Sequence, residues 1–325
     1  MQRRDFLAGM VATPTAPGLT SLLSDLRGGR PAPNPTPTPS PPPPPTPTPP
    51  PSPPPPTSTP TPNPTPTPDK KNFIAWECMR WNNGPSDLAK CGLPRMPIYY
   101  QNDLISGENP DYGKLDKVIA IIKANKFPLV TLDIERWNPA SVPEREKYIR
   151  AIEYVRARVP STTKLAYYGI MPKNRYGDYI AGGERLAYQQ RVNRMMQPLA
   201  DKVDWIMPCY HAYTSNRKNW AKFAEIVAEE AHKYGKPVMP WLWMQYHELS
   251  SDPKIRYQII PGDFFREQLE TAYRLGDSLC LWGTLLPRAN GKVQRATWDP
   301  KAAWWQQTKA FLKEKGKASA AACHA

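Results

Sequence analysis

Seven apolar runs alternating with amphipathic stretches constrain this chain more than any other feature of it. The runs are NFIAWECM (72–79), MPIYYQ (96–101), PLVTLDIE (128–135), KLAYYGIM (164–171), VDWIMPCY (203–210), PVMPWLWM (237–244) and SLCLWGTL (278–285). Between them lie 111–125, 143–158, 183–200, 216–234 and 262–276, and 298–315 closes the series. In 111–125, Leu115, Val118, Ile119, Ile121 and Ile122 form one stripe with lysines opposite, the period of a helix packed on one side. Strands apolar throughout and separated by helices describe a parallel sheet covered on its faces. A length of about 250 residues is usual for a (β/α) barrel, and no GxGxxG or Walker loop favours a nucleotide-binding open sheet. The expectation is an α/β fold, a seven-stranded TIM-like (β/α) barrel over residues 70–316.

The flanking segments read differently. Residues 1–30 open with MQRRDFLAGMVA, where Arg3 and Arg4 followed by Phe6 and Leu7 resemble a twin-arginine export signal. The apolar stretch after it is broken by Pro14 and Pro17, whereas a stable bilayer span needs about 20 apolar residues. Residues 31–69 are almost only Pro, Thr and Ser, a composition that forms no core. They predict a disordered, extended tether reaching on the order of 100 Å. The tail 317–325 is expected to be disordered too. Together these features predict an exported protein, periplasmic, cell-surface or extracellular, with no stable membrane span.

The net charge is +14, and residues 1–70 hold five basic and three acidic residues, so most of the excess falls on the folded part. Such a surface concentrates polyanions. With no nucleic-acid motif and no basic run interleaved with aromatics, acidic polysaccharide fits better than nucleic acid; a merely solubilising excess of charge is the alternative. The five cysteines form no CxxC pair, which argues against a zinc knuckle. Cys78 and Cys91 flank the first loop and are expected to pair, while Cys209 and Cys280 read as buried thiols.

The chemistry concentrates in Phe127–Trp137, FPLVTLDIERW. A buried strand here ends in Asp133 and Glu135, and positions i and i+2 of a strand point to the same side, about 6–7 Å apart. Parallel-barrel enzymes carry their catalytic groups at strand carboxyl ends. The competing reading is a pair of solvated acids capping the next helix. The other strand ends are rich in aromatics: Trp76, Tyr99, Tyr100, Trp137, Tyr168, Tyr210, Trp243 and Trp282. Aromatic faces stack on sugar rings, although some of these side chains must also fill a barrel interior.

These motifs resemble the hyaluronidase family of glycoside hydrolases. Asp133, Glu135, Trp137 and Pro139 follow its acid-bearing strand end, and PIYYQNDL (97–104), with Tyr100, looks like its second-strand segment. LAYYGIMP (165–172) places Tyr168 on the family's site tyrosine. IMPCYHAY (206–213) puts Tyr210 within one position of a second tyrosine, and LWGT (281–284) puts Trp282 on the active-site tryptophan. The chitinases and muramidase-type lysozymes also end a strand in D-x-E; the long chitinase signature is missing, with Thr131 where its middle Asp would stand.

The resemblance implies a substrate-assisted glycosidase. Glu135 is the general acid, Asp133 orients and stabilises the sugar's 2-acetamido group as it attacks, and Tyr168 holds the other side. Trp137, Tyr210, Trp243, Trp282 and Tyr100 are the expected substrate-binding residues, the partner is an amino-sugar polysaccharide, and no metal or cofactor is required. Two other classes compete: a non-catalytic polysaccharide-binding barrel, and a metal-dependent hydrolase using His211 and His247.

Overall fold

A computed structural model describes residues 70–289, 292–317 and 323. The export-signal and linker readings, and most of the tail, lie outside the described residues. The strands are β1 (Ala75–Met79), β2 (Ile98–Tyr100), β3 (Ile105–Ser106), β4 (Asn109–Pro110), β5 (Leu129–Asp133), β6 (Lys164–Tyr167), β7 (Trp241–Trp243), β8 (Leu279–Gly283), β9 (Leu286–Ala289) and β10 (Lys292–Gln294). The helices are α1 (Tyr112–Asn125), α2 (Val142–Arg156), α3 (Tyr176–Ala181), α4 (Gly183–Arg194), α5 (Gln197–Ala200), α6 (Arg217–His232), α7 (Gly262–Leu275) and α8 (Ala303–Glu314).

Helix boundaries follow local chemistry. Asp111 caps α1 by accepting the Lys114 N–H at 3.1 Å, and Lys126 in a left-handed conformation ends it. Asn216 caps α6 in the same manner through the Asn219 N–H. Such caps satisfy donors that the first helical turn leaves free, worth about 1 kcal/mol each. Leu115, Val118, Ile119 and Ile122 form the buried stripe of α1, but Ile121 is exposed. One position along a helix rotates a side chain by about 100°, which carries Ile121 off the packed face.

The main strands pair in parallel as two three-stranded sheets, β1-β8-β7 and β2-β5-β6. Single parallel bridges connect them. Glu77 pairs with Arg95 at one junction; Tyr168 with Met207, Ile206 with Val238 and Cys209 with Trp241 lie at the other. The expected strand at 203–210 is therefore a bridged segment and not a ladder strand. Pro208, Pro237 and Pro240 account for this, since proline carries no N–H to donate to a ladder. Their carbonyls still accept, from Trp241, Ile206 and Cys280 respectively. Because every pairing in this set is parallel, all carboxyl ends point one way. In register, Tyr100 lies beside Asp133 and Met79 beside Gly283.

The cysteine pairing differs from the expectation. Cys91 is joined to Cys323, 232 residues away, and Cys78 is a free buried thiol. Cys78 lies within β1, where its Sγ donates to the Met96 carbonyl and rests 3.5 Å from the Cys280 Sγ. Strand pairing thus turns Cys78 toward Met96 and Cys280, while Cys91, equally buried, ends a short 3-10 turn beyond β1. Cys323, placed in the tail that composition alone reads as disordered, is instead covalently anchored. Among the described residues no helix is long and apolar enough to cross a membrane.

A bridge closing so long a loop restricts the unfolded chain, an effect of roughly 2–4 kcal/mol. Cys323→Ser is expected to lower unfolding free energy by about that amount. Non-reduced peptide mapping should recover a Cys91–Cys323 linkage and unmodified Cys78, Cys209 and Cys280.

Candidate active site

Asp133 is the last residue of β5 and only 4% exposed; Glu135 follows two positions later and is half-buried. Their position depends on α2. The Tyr148 hydroxyl lies 2.7 Å from the Ile134 carbonyl and 2.8 Å from the Trp137 carbonyl, sharing its one proton between them. The Tyr167 hydroxyl in turn donates to the Tyr148 carbonyl at 2.8 Å. Helix, strand end and acid-bearing turn are thereby fixed to one another around Glu135.

Neighbouring tyrosines locate the two acids. Burial pushes the Tyr168 hydroxyl well above its ordinary pKa, with Cys209, Glu135 and Asp133 pushing the same way. Tyr100 is raised chiefly by burial and feels Asp133, while Tyr213 is raised by burial and feels Glu135. Asp133 thus lies near Tyr100, Glu135 near Tyr213, and Tyr168 near both acids.

Aromatic rings form the opposite wall. Trp282, 6% exposed, donates from Nε1 to the Tyr100 hydroxyl at 3.3 Å and stacks on His211 with centroids 5.9 Å apart. His211 also meets Tyr168 at 6.2 Å and His247 at 5.6 Å, and His247 lies 4.4 Å from Tyr213. Gly283, with φ +152°, follows Trp282; a Cβ there would come within 2.8 Å of the Met244 Sδ, so the Trp-Gly pair is a steric requirement.

Three expected binding residues are placed elsewhere. Trp137 is wholly buried, packed edge-on against Tyr148 at 5.1 Å in the core under α1 and α2. Tyr210 is wholly buried as well, with its carbonyl accepting the Trp220 indole N–H from α6. Alternation explains it: Cys209, His211 and Tyr213 share the mouth side of their segment, and Tyr210 and Ala212 take the other. Trp243 lies fully buried beside Trp282 at 5.0 Å, its N–H donating to Gln245 Oε1, and supports that wall from below. Asp133, Glu135, Tyr168, Tyr100 and Trp282 are brought together as expected.

His211 and His247, which the sequence offers only as ligands of a metal-dependent hydrolase, belong to this constellation as part of its aromatic wall, and Tyr213 joins them with no role assigned from sequence. The period-two pattern Cys-x-His-x-Tyr at 209–213 was the available signal. The two histidines are neighbours, yet among the described residues no three His, Cys, Asp or Glu side chains gather into a metal-binding group.

No protein-family model matches the chain, and no curated protein matches it. Solved structures do. Bee venom hyaluronidase, in its monoclinic crystal, aligns with a TM-score of 0.52 at 13% identity, covering 76% of this chain and 98% of that one. The fold of this chain is thus similar to the fold of that enzyme. Bee venom hyaluronidase in complex with a hyaluronic acid tetramer aligns with a TM-score of 0.49 at 13% identity, over 65% of this chain and 90% of that one. A GH18 chitinase from Pseudoalteromonas aurantia gives 0.35 at 13% identity, over 53% and 61%. At such identity the likeness concerns fold alone, and the two lower scores carry no argument.

Two outcomes are expected. Tyr148→Phe leaves two buried carbonyls without their shared donor and should cost about 1–3 kcal/mol in denaturant unfolding. Lys173, whose Nζ donates to Asn138 Oδ1 at 2.7 Å, is lowered to about 8, first by burial and then by Arg175. Between that value and the ordinary lysine value of 10.5 the unfolded chain binds the extra proton. Native stability contributed by this group therefore rises with pH across the window, and Lys173→Met should remove the rise in pH-dependent melting.

Proposed function

We propose that this protein is a glycoside hydrolase that cleaves an N-acetylhexosamine-containing polysaccharide by substrate-assisted, retaining catalysis. The observation carrying the reading is that Asp133 and Glu135 lie together near the Tyr168 hydroxyl at the carboxyl end of parallel strand β5, with Asp133 in register beside the Tyr100 to which Trp282 donates. That bee venom hyaluronidase shares the fold supports it.

Glycosidic cleavage needs a proton for the leaving oxygen and stabilisation of an oxocarbenium-like transition state. Glu135, the more accessible acid, protonates the leaving group. Asp133 lies deeper, beside Tyr100, where it orients the 2-acetamido group and balances the positive charge that develops as the amide oxygen attacks C1. The bond from C1 to the leaving oxygen breaks as the bond to the acetamido oxygen forms; water then opens this intermediate, giving its proton to Glu135, and retention follows from two inversions. Tyr168, with its hydroxyl held protonated by burial, donates to the attacking group's side. Trp282 supplies a face for the sugar ring.

We further propose that the chain works outside the cytoplasm, exported through the twin-arginine route and displayed on its Pro/Thr tether. The Cys91–Cys323 bridge agrees with an oxidising compartment.

Removing the proton donor should cost roughly 10²–10⁴ in rate, so Glu135→Gln is expected to lose turnover while still binding polymer. Asp133→Asn should be severely impaired by loss of charge stabilisation in an enclosed site. Azide should not rescue Glu135→Gln by forming a glycosyl azide of inverted configuration, as it would where a carboxylate nucleophile had been deleted, and a thiazoline mimic of the intermediate should inhibit the parent. Reducing-sugar release from a panel of amino-sugar glycans is the assay. Full activity of Glu135→Gln on the cleaved polymer would reduce the strand-end pair to a structural cap; binding without release by the parent would favour the non-catalytic reading.

A further inference from the structure

A second concave site lies beside β1. It is a pocket of about 390 Å³, within the range of about 300–1,000 Å³ common for small-ligand sites. Glu77, Arg80, Trp81, Arg95, Arg295 and Trp298 line it. The fold makes room here because the connection from β1 to β2 carries only a three-residue 3-10 turn, Ala89–Cys91, where a longer helix would otherwise cover the strand.

Its charge is unbalanced. Three guanidinium groups meet one carboxylate, and that carboxylate is engaged: Glu77 accepts from Arg95 at 3.1 Å and from the Met79 N–H at 2.8 Å. Among the described residues neither Arg80 nor Arg295 has an ion-pair partner, and both are exposed. A guanidinium presents paired donors that match the oxygens of a carboxylate or sulfate. The walls are aromatic: Trp81 and Trp298 stand edge to face at 5.6 Å, and Trp81 is backed by Trp304, stacked at 5.3 Å. The Trp81 indole N–H is buried with no hydrogen-bond partner among the described residues. Guanidinium donors for an oxyanion, aromatic walls for a ring and a donor awaiting an acceptor describe one kind of ligand.

We infer that this pocket binds an anionic sugar residue, a pyranose bearing a carboxylate or a sulfate ester, at a site separate from the catalytic mouth. Arg80 connects the two, since its guanidinium lies over the Tyr100 ring at 5.1 Å and Tyr100 is hydrogen-bonded to Trp282. A polymer held at the acids can thus continue past Arg80 and anchor a charged residue against the tryptophan-lined wall. This continuity rests on the glycosidase reading; binding in the pocket itself does not.

Calorimetric titration of the full chain at low salt tests it, with glucuronic acid, glucose 6-sulfate, glucose and inorganic sulfate as probes. One or both charged sugars should bind, glucose should give no heat, and inorganic sulfate should bind at least about fivefold more weakly than the charged sugar that binds, because it lacks the ring. Which charged sugar binds assigns the oxyanion. Arg295→Glu and Arg80→Gln should each weaken that affinity about tenfold, as expected for loss of a charge-assisted hydrogen bond. Arg295 is exposed, so its variant should keep the parent's thermal transition. Failure of both charged sugars to bind, unchanged affinity in both variants, or inorganic sulfate binding as tightly as the sugars would overturn the assignment. A Glu135→Gln variant that still cleaves polymer while the pocket binds its probes defeats only the catalytic reading. Established cleavage with unaltered probe binding in the arginine variants defeats only the pocket.

Discussion

The Tyr148 hydroxyl fixes the acid-bearing turn from beneath. By bonding to the carbonyls on either side of Glu135, it converts a loop into a rigid extension of β5. A carboxylate two residues beyond a strand would otherwise sample several backbone conformations, and general acid chemistry depends on sub-ångström placement. Tyr148 is itself held by Trp137 on one side and Tyr167 on the other, at 5.1 Å each. Trp137 therefore contributes to the turn by packing against Tyr148 from within the core.

Around this anchor the mouth is built from alternation. Parallel pairing places Tyr100 beside Asp133, and the bridge from Tyr168 to Met207 carries the pattern into segment 206–213. There the side chains at 209, 211 and 213 line one side while Tyr210 packs under α6. The histidines this brings forward sit edge and face against Trp243, Trp282 and Tyr213, so their role is bound up with the aromatic wall. Trp243 in turn orders the loop after β8, because Gln245 accepts its N–H while also bonding to the Leu285 N–H and carbonyl.

Charge and aromatic surface are not confined to the mouth. The short β1–β2 connection leaves the outer flank of β1 uncovered, and arginines with tryptophans occupy the gap.

The linear string carried the parallel α/β alternation and most of the main strands and helices in order, but not the helix Tyr176–Ala181, the short antiparallel pairs, or the reduction of the expected seven-stranded barrel to two three-stranded sheets joined by single bridges, including those at 203–210. Period, length and punctuation by Pro, Asn and Asp are local properties, and local properties survive in a linear string. Only the tertiary structure decided which aromatics reach the mouth. In IMPCYHAY aromatic residues stand on both faces, and Trp137 lies four residues past the end of β5, where strand alternation no longer holds, so the period alone could not separate Tyr210 and Trp137 from His211 and Trp282. The disulfide was equally out of reach, because Cys91 meets Cys323 only once the chain has wound past seven intervening helices and returned through α8. Proximity across 232 residues is created by folding, and spacing in the sequence carries no record of it.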